Sequence, residues 1–394
     1  MDQDVVDLLQ HLVSIDSVNP TLVAGGAGEQ AIAAYIANWA ERCGLRCAVV
    51  GQPSGRPSVI IRGGSPMGGG KTLLLCAHLD TVGYQGMHDA LIPRIDGDRL
   101  YGRGAYDMKA GLAAALICCR DAARARTSGE VVVAAVADEE HSSVGIVEAL
   151  RHITADGAIV TEPTELAVVT AHKGFVWIEI EVMGKAAHGS RPQLGVDAIL
   201  KTGPVLVAID QLNRSLNASD HPRLGTGSVH ASVIAGGIGE STIPDQCRLT
   251  LERRTLPGDT AQSVQREIDE LLDACRRADN EFRAIARVTL ARDALETAES
   301  AQIVATTSGA VSEVLGKPAE LHAASYWADS AFISAAGIPT VLFGPSGVGA
   351  HAEVEWVSLS SSIACTRALA NVARRFCHVS QHHDARSRGA VPEP

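Results

Sequence analysis

TLLLCAHLD, Thr72 to Asp80, is a short apolar run that ends abruptly in ionisable residues. The arrangement returns twice, in VVVAAVADEE, Val131 to Glu140, and in GAIVTE, Gly157 to Glu162, with helix-like stretches between. Short, continuously apolar runs alternating with helical ones predict a mainly parallel sheet covered on both faces by helices. Ligands of such sheets sit beyond the carboxyl ends of the strands. His78, Asp80, Asp138, Glu139, Glu140 and Glu162 occupy that position.

Working outward, residues 4–13 and 29–43 read as helices. In the second, Ile32, Ile36, Trp39 and Cys43 form a stripe and Gly44 stands at the C-terminal cap. Cys47 to Val50, Ser58 to Ile61 and Thr340 to Phe343 read as further strands, and Gly63 to Gly70 as a Gly-rich turn. The pattern changes near Gly174. Val176, Ile178, Ile180 and Val182 alternate with polar residues, as in a half-exposed antiparallel strand. A helix over 194–212 follows, then strands near 227–235 and 246–253. A helix with Val264, Ile268, Leu271 and Cys275 on one stripe leads to a strand near 283–290. The order βαββαβ is that of a ferredoxin-like α+β sandwich. The expected fold class is therefore α/β, with the sandwich inserted into a parallel-sheet domain. The expected boundaries are 1–174 and 293–379 for the first domain and 175–292 for the insert. Residues 380–394 are expected to be a disordered tail, with His382 and His383 solvated in it.

The chain has 394 residues, 34 Lys plus Arg and 45 Asp plus Glu, and a net charge of −11. That balance argues against a partner of nucleic acid or an anionic membrane. The longest apolar runs, Leu112 to Cys119 and Val131 to Ala137, fall far short of the roughly 20 residues that span a bilayer. The first residues are acidic, unlike a signal peptide. Nine cysteines without a CxxC pair read as reduced thiols, which leads to a cytoplasmic expectation.

Each candidate site residue has a bland reading beside the chemical one. His78 and Asp80 share a face if the strand persists, so the carboxylate is placed to accept a ring N–H of a metal-bound imidazole; a surface pair is the alternative. Asp107, in RLYGRGAYDMKAGLAAAL (Arg99 to Leu116), is either a helix N-cap or a bridge with one oxygen on each of two metals. Glu139 and Glu140 are either solvated loop acids or a divided pair, one on metal and one free as general base. Glu162 stands before Pro163, and His351 follows a Gly-rich run. In conjunction they make an N/O site that suits two divalent ions, zinc first, with cobalt or manganese as substitutes. Two such ions would balance Asp107, Glu140 and Glu162 once a hydroxide is added.

HLDTV, LYGRGAYDMKAG, ADEE, TEPT, AAHGS, ERRTLPG and FGPSGVGAH occur in that order along nearly the whole chain. Together they resemble the di-zinc amidohydrolase family of acetylornithine deacetylase, succinyl-diaminopimelate desuccinylase, aminoacylase and carboxypeptidase G. The resemblance implies His78 and Glu162 on one metal, His351 and Glu140 on the other, and Asp107 as the bridge. It implies Glu139 as general acid/base, Asp80 as the partner of His78, and a cis peptide after Asp107. The inserted domain would act as lid and dimerisation surface of a homodimer. His188 would polarise the scissile carbonyl, in cis or from a second subunit, and Arg254 would clamp a substrate carboxylate. Its neighbour Arg253 is expected to face solvent.

The implied reaction is hydrolysis of the amide bond of an N-acyl-L-amino acid, in the manner of acetylornithine deacetylase. Desuccinylase, carboxypeptidase or dipeptidase activity is the alternative, and a non-catalytic metal-binding regulator the remote one. SYWADSAF, Ser325 to Phe332, departs from the deacetylase and desuccinylase patterns, and Asp329 is offered there as a residue that reads a substrate amine. Ser241 and Thr242 stand ahead of Ile243 and Pro244 where some relatives have Asn.

Overall fold

The structure is a computed structural model and describes residues 1–51, 55–65, 67–84, 86–217 and 220–378. His382, His383 and the rest of the expected tail lie outside them. The chain divides into two compact units. The first comprises Met1–Thr170, Thr297–Leu321 and 328 onward, and the second comprises Ala171–Glu296 with His322–Trp327.

The first unit is built on a sheet whose centre is parallel. Glu130–Val136, Thr72–His78, Gly157–Val160 and Thr340–Leu342 lie side by side in that order, all parallel. Antiparallel strands extend the Glu130–Val136 edge: Ser58–Gly64 and then Arg46–Val50. Val168–His172 continues the other edge, antiparallel to Thr340–Leu342. The central strands are mostly apolar because both faces are covered; every residue of Glu130–Val136 is buried, including Glu130, which pairs with Arg46 and Arg62. Each fully buried Val or Leu there contributes about 1.5–3 kcal/mol, so the register resists slipping. Small residues let the Ala-rich helix Ala110–Ala125 approach closely: a Cβ on Gly63 would come within 2.3 Å of the Cys119 carbonyl oxygen. Gly44, φ +72°, stands just beyond the helix Gln30–Arg42, where the left-handed conformation favours glycine. That helix buries Ile32, Ala33, Ile36 and Ala40; Trp39 and Cys43 are only half-buried, because the alanines take the stripe nearest the sheet.

The second unit has the βαββαβ order. Its antiparallel sheet runs Ser228–Gly236, Gln246–Thr255, Gly174–Met183, Arg283–Arg292. Helices Ala198–Leu216 and Ala261–Ala278 pack over one face. Val176, Ile178, Ile180 and Val182 are buried there, with Val264, Ile268, Leu272 and Cys275 facing them. Leu272 takes the deep position and Leu271 the flank, a shift of one residue within the same stripe.

Candidate metal centre

The parallel strands end on the same side of their sheet, and their exits supply most of the site. His78 is the last residue of its strand. Glu139 and Glu140 follow Glu130–Val136 through a tight turn, and Glu162 follows Gly157–Val160. His351 comes from the loop beyond Thr340–Leu342, and Asp107 from the loop that enters Ala110–Ala125.

The structure brings these six together. Asp107 Oδ1 lies 3.2 Å from His78 Nε2, and its Oδ2 lies 3.3 Å from His351 Nε2. His351 Nε2 is 3.0 Å from Glu140 Oε2, and His78 Nε2 is 3.9 Å from Glu162 Oε1. Ligand atoms of His78, Glu139 and Glu162 lie within 4.8 Å of one another, as do those of His78, Asp107 and Glu140. The N-cap of the following helix is Lys109, not Asp107, and the Asp107 carboxylate faces the two imidazoles instead.

The Asp107 loop folds around Glu355, which the sequence reading left without a role. Glu355 is 1% exposed and accepts N–H bonds from Gly104 (2.9 Å), Tyr106 (2.8 Å) and Asp107 (3.0 Å). Arg103 Nη1 adds a fourth at 2.7 Å. The peptide Asp107–Met108 is cis. Gly104 has φ +75°, and a Cβ there would meet Thr81 at 2.7 Å, so glycine is required. The position of Glu355 beyond an AHAE stretch carries no local signal; only the return of the chain to Arg103 reveals it.

One pairing differs from expectation. His78 Nδ1 bonds the main-chain oxygen of Asp80 at 2.8 Å, while the Asp80 carboxylate stays 3.9 Å away. The carboxylate instead accepts the N–H groups of Glu139 (3.1 Å) and Glu140 (3.2 Å). The strand ends at His78, so the alternation that would align the two side chains is lost. The carbonyl still sets the tautomer, leaving Nε2 to face Asp107.

Electrostatically the cluster is overloaded with acid. Burial, then repulsion from Glu162, Asp329 and Glu140, drives Glu139 well above the carboxylate range, against the pull of His78. Burial and the acids Asp107, Glu140 and Asp329 push Glu162 up to about 8, again opposed by His78. Asp107 goes the other way: burial opposes ionisation, but hydrogen bonds from His351 and His78 hold it charged. His351 is raised to about 10 by its own hydrogen bonds to Asp107 and Glu140, against its burial. Asp329 is 1% exposed, and its charge reaches Cys76 as well as the two glutamates.

The residues fit a cation-binding role. Glu140 Oε1 is buried with no protein hydrogen-bond partner among the described residues. Two N/O ligands at tetrahedral angles on one zinc stand about 3.3 Å apart, and the two Asp107–imidazole distances have that value.

In the second unit, His188 is exposed and its Nδ1 meets Ser190 Oγ at 2.8 Å. Arg254 donates to the Ser325 carbonyl and lies over the Phe175 ring, 5.6 Å from its centroid. Arg253 does not face solvent. It is 4% exposed, bonded through Nε to Glu267 (3.1 Å), because its strand alternates and places it on the side of helix Ala261–Ala278.

Fold and cluster define a metallohydrolase of the α/β class. A family model, Peptidase family M20/M25/M40, matches residues 74–375, and the chain belongs to that family. An acetylornithine deacetylase of Myxococcus xanthus is 32% identical over 337 residues, covering 81% of this chain and 83% of that protein. One from Vibrio cholerae is 27% identical over 387 residues, covering 94% and 98%. Among solved structures, the aminopeptidase PepT from Bacillus cereus superposes with a TM-score of 0.78 at 18% identity, over 95% of this chain and 99% of that one. A dinuclear metal binding peptidase of the M20 family from Bacillus subtilis gives 0.72 at 14% identity, over 95% and 98%. At such identities the structures share the fold. The protein is a metal-dependent amidohydrolase with a centre for two metal ions, acting on small acylated amino acids or peptides. No helix among the described residues is long and apolar enough to cross a membrane.

Proposed function

We propose that this protein hydrolyses the amide bond of an N-acyl-L-amino acid, in the manner of its acetylornithine deacetylase relatives. One observation carries the chemistry: a single carboxylate, Asp107, presents each oxygen to a different imidazole, with Glu140, Glu162 and Glu139 around it. His78 and Glu162 would hold one ion, His351 and Glu140 the second, and Asp107 both; the ligand set suits zinc. When bound, the ions polarise the amide carbonyl and acidify water.

The chain's own groups do the rest. Glu139 takes a proton from the attacking water and passes it to the leaving amine nitrogen; its burial among acids raises its proton affinity toward that task. His188 donates to the developing oxyanion and Arg254 pairs with the substrate carboxylate, roles that rest on the AAHGS and ERRTLPG motifs. Asp329 contributes the negative field that a substrate amine would meet. The second unit serves as lid and homodimer surface, and the enzyme works in the cytoplasm.

The test is a rate panel on chelator-treated protein with zinc or cobalt restored. The substrates are N-acetyl-L-ornithine, other N-acetyl amino acids, N-succinyl-LL-diaminopimelate and dipeptides. Metal-dependent cleavage led by the N-acetyl amino acids is the expected outcome. Faster cleavage of the succinyl compound or the dipeptides would replace this reading of the substrate.

A further inference from the structure

Behind the acid pair lies a buried polar chain that no step above uses. Asn19 is 0% exposed, and its Nδ2 donates to Asp80 Oδ2 at 2.8 Å and to Asp138 Oδ1 at 3.0 Å. Its Oδ1 accepts the Thr21 N–H at 2.9 Å, and its own N–H donates to the Thr81 carbonyl at 2.9 Å. Asp80, also 0% exposed, accepts the N–H groups of Glu139 and Glu140, one on each oxygen. On the far side Arg56 Nη1 holds Asp138 Oδ1 at 3.0 Å. Arg56 is itself gripped by the buried Glu29 at 2.8 and 2.5 Å.

The chemistry of position 19 is narrow. Two buried carboxylates must be kept in place by one neutral group that donates twice and accepts once, and a primary amide does this. The reversed amide would aim its oxygen at both carboxylates, so the orientation is determined. An acid here would place three carboxylates together, and an apolar residue would leave two buried acceptors short of a donor. Asp138 also opens the turn that carries the acid pair. Its φ is +66°, and its carbonyl accepts the N–H groups of Ser142 (3.1 Å) and Ser143 (2.5 Å).

We infer that Asn19 is a positioning residue for Glu139 and Glu140, acting through Asp80 and Asp138; this rests on the metal centre proposed above. Without it the Asp80 carboxylate keeps, among the described residues, the two main-chain donors alone, and the plane that aligns residues 139 and 140 is free to turn. The consequence is lopsided. Glu140 belongs with His351, whereas Glu162 leaves from another strand and His78 rests on the Asp80 main-chain oxygen, a segment that backbone bonds from Thr81 to Ser17 and from Asn19 to Thr81 keep in place without the amide.

The experiment uses full-length enzyme with Asn19→Ala, and reads Co²⁺ affinity by competitive chelator titration together with kcat and KM on the best substrate of the panel. The expected result has three parts. One of the two cobalt affinities falls by about tenfold or more while the other holds within about twofold, kcat falls by at least about tenfold, and KM stays within about twofold. Unchanged cobalt affinities and kcat, whatever happens to the melting temperature, would overturn the inference by leaving Asn19 a purely structural residue. Equal weakening of both cobalt sites would overturn it too, as general loosening. Asn19→Ser, which retains one donor, is run in parallel and read by the same criteria should Asn19→Ala not fold. Failure of the wild-type protein to bind two cobalt ions would instead refute the metal-centre reading itself.

Discussion

Glu139 and Glu140 are adjacent in sequence, yet they are assigned opposite work. Glu140 stands against His351 Nε2, whereas Glu139 groups with His78 and Glu162 and carries the strongly raised proton affinity. Replacing Glu139 with Gln keeps the shape and removes the base. The expected loss in kcat is about 10²–10⁴-fold, with both metal ions still bound by calorimetric titration. Near-normal turnover would rule Glu139 out as the base. Glu355 poses a stability question. Glu355→Ala strands Arg103, 3% exposed, beside three main-chain N–H groups that lose their acceptor. Breaking a buried ion pair in this way costs about 3–5 kcal/mol. Denaturant melts of the variant should show it, together with weaker metal binding at Asp107; an unchanged midpoint would mean that the loop does not depend on Glu355.

At the scale of elements, ligand placement depends on how closely helix and sheet approach. Gly111, in the first turn of Ala110–Ala125, faces the main chain just ahead of Glu162: a Cβ would lie 2.0 Å from the Thr161 oxygen. Alanine is the better helix former by about 1 kcal/mol. The clash is with backbone, however, which cannot swing aside as a side chain does, and overpacking costs about 1–3 kcal/mol. Gly111→Ala should therefore lower the thermal midpoint and weaken metal binding at Glu162. A raised midpoint would show that helix propensity wins and that the contact is soft. Continuous apolar runs ending in acids identified the strands and their functional ends, because strand direction follows from chain direction. The alternation rule failed at Asp80 for the converse reason: once the strand ends, spacing no longer dictates where a side chain points.

For the whole molecule, the acid cluster makes metal-free stability depend on pH. Glu162 has its pKa raised from 4.5 to about 8 in the folded state. Between those values the folded chain holds a proton that the unfolded chain has released, so stability falls as pH rises. The penalty is absent below 4.5 and complete above about 8. His351, raised from 6.5 to about 10, acts in the same direction: its stabilisation is full below 6.5 and lost through about 10. Chelator-treated protein should accordingly melt at a higher temperature near pH 6 than near pH 8.5. Added zinc should restore the midpoint at the higher pH by replacing the missing protons with cationic charge. A metal-free midpoint that rises toward pH 8.5 would contradict this account.

By itself the sequence determined the α/β class, the βαββαβ insert and the residue types of the centre. These are written in periodicity, in apolar runs and in the residues that end them. What only the tertiary structure decided is which groups support those residues. The Glu355 carboxylate serves a loop some 250 positions earlier, with separations from 248 to 252. Asn19 reaches Asp80 across 61 residues and Asp138 across 119. Arg253 turned out buried and the Asp80 carboxylate faced main-chain amides. The reason is physical. A strand or helix repeats a local rule that the sequence displays, whereas a buried polar group is satisfied by whatever donor the packed chain brings within about 3 Å, and no local pattern encodes that partner.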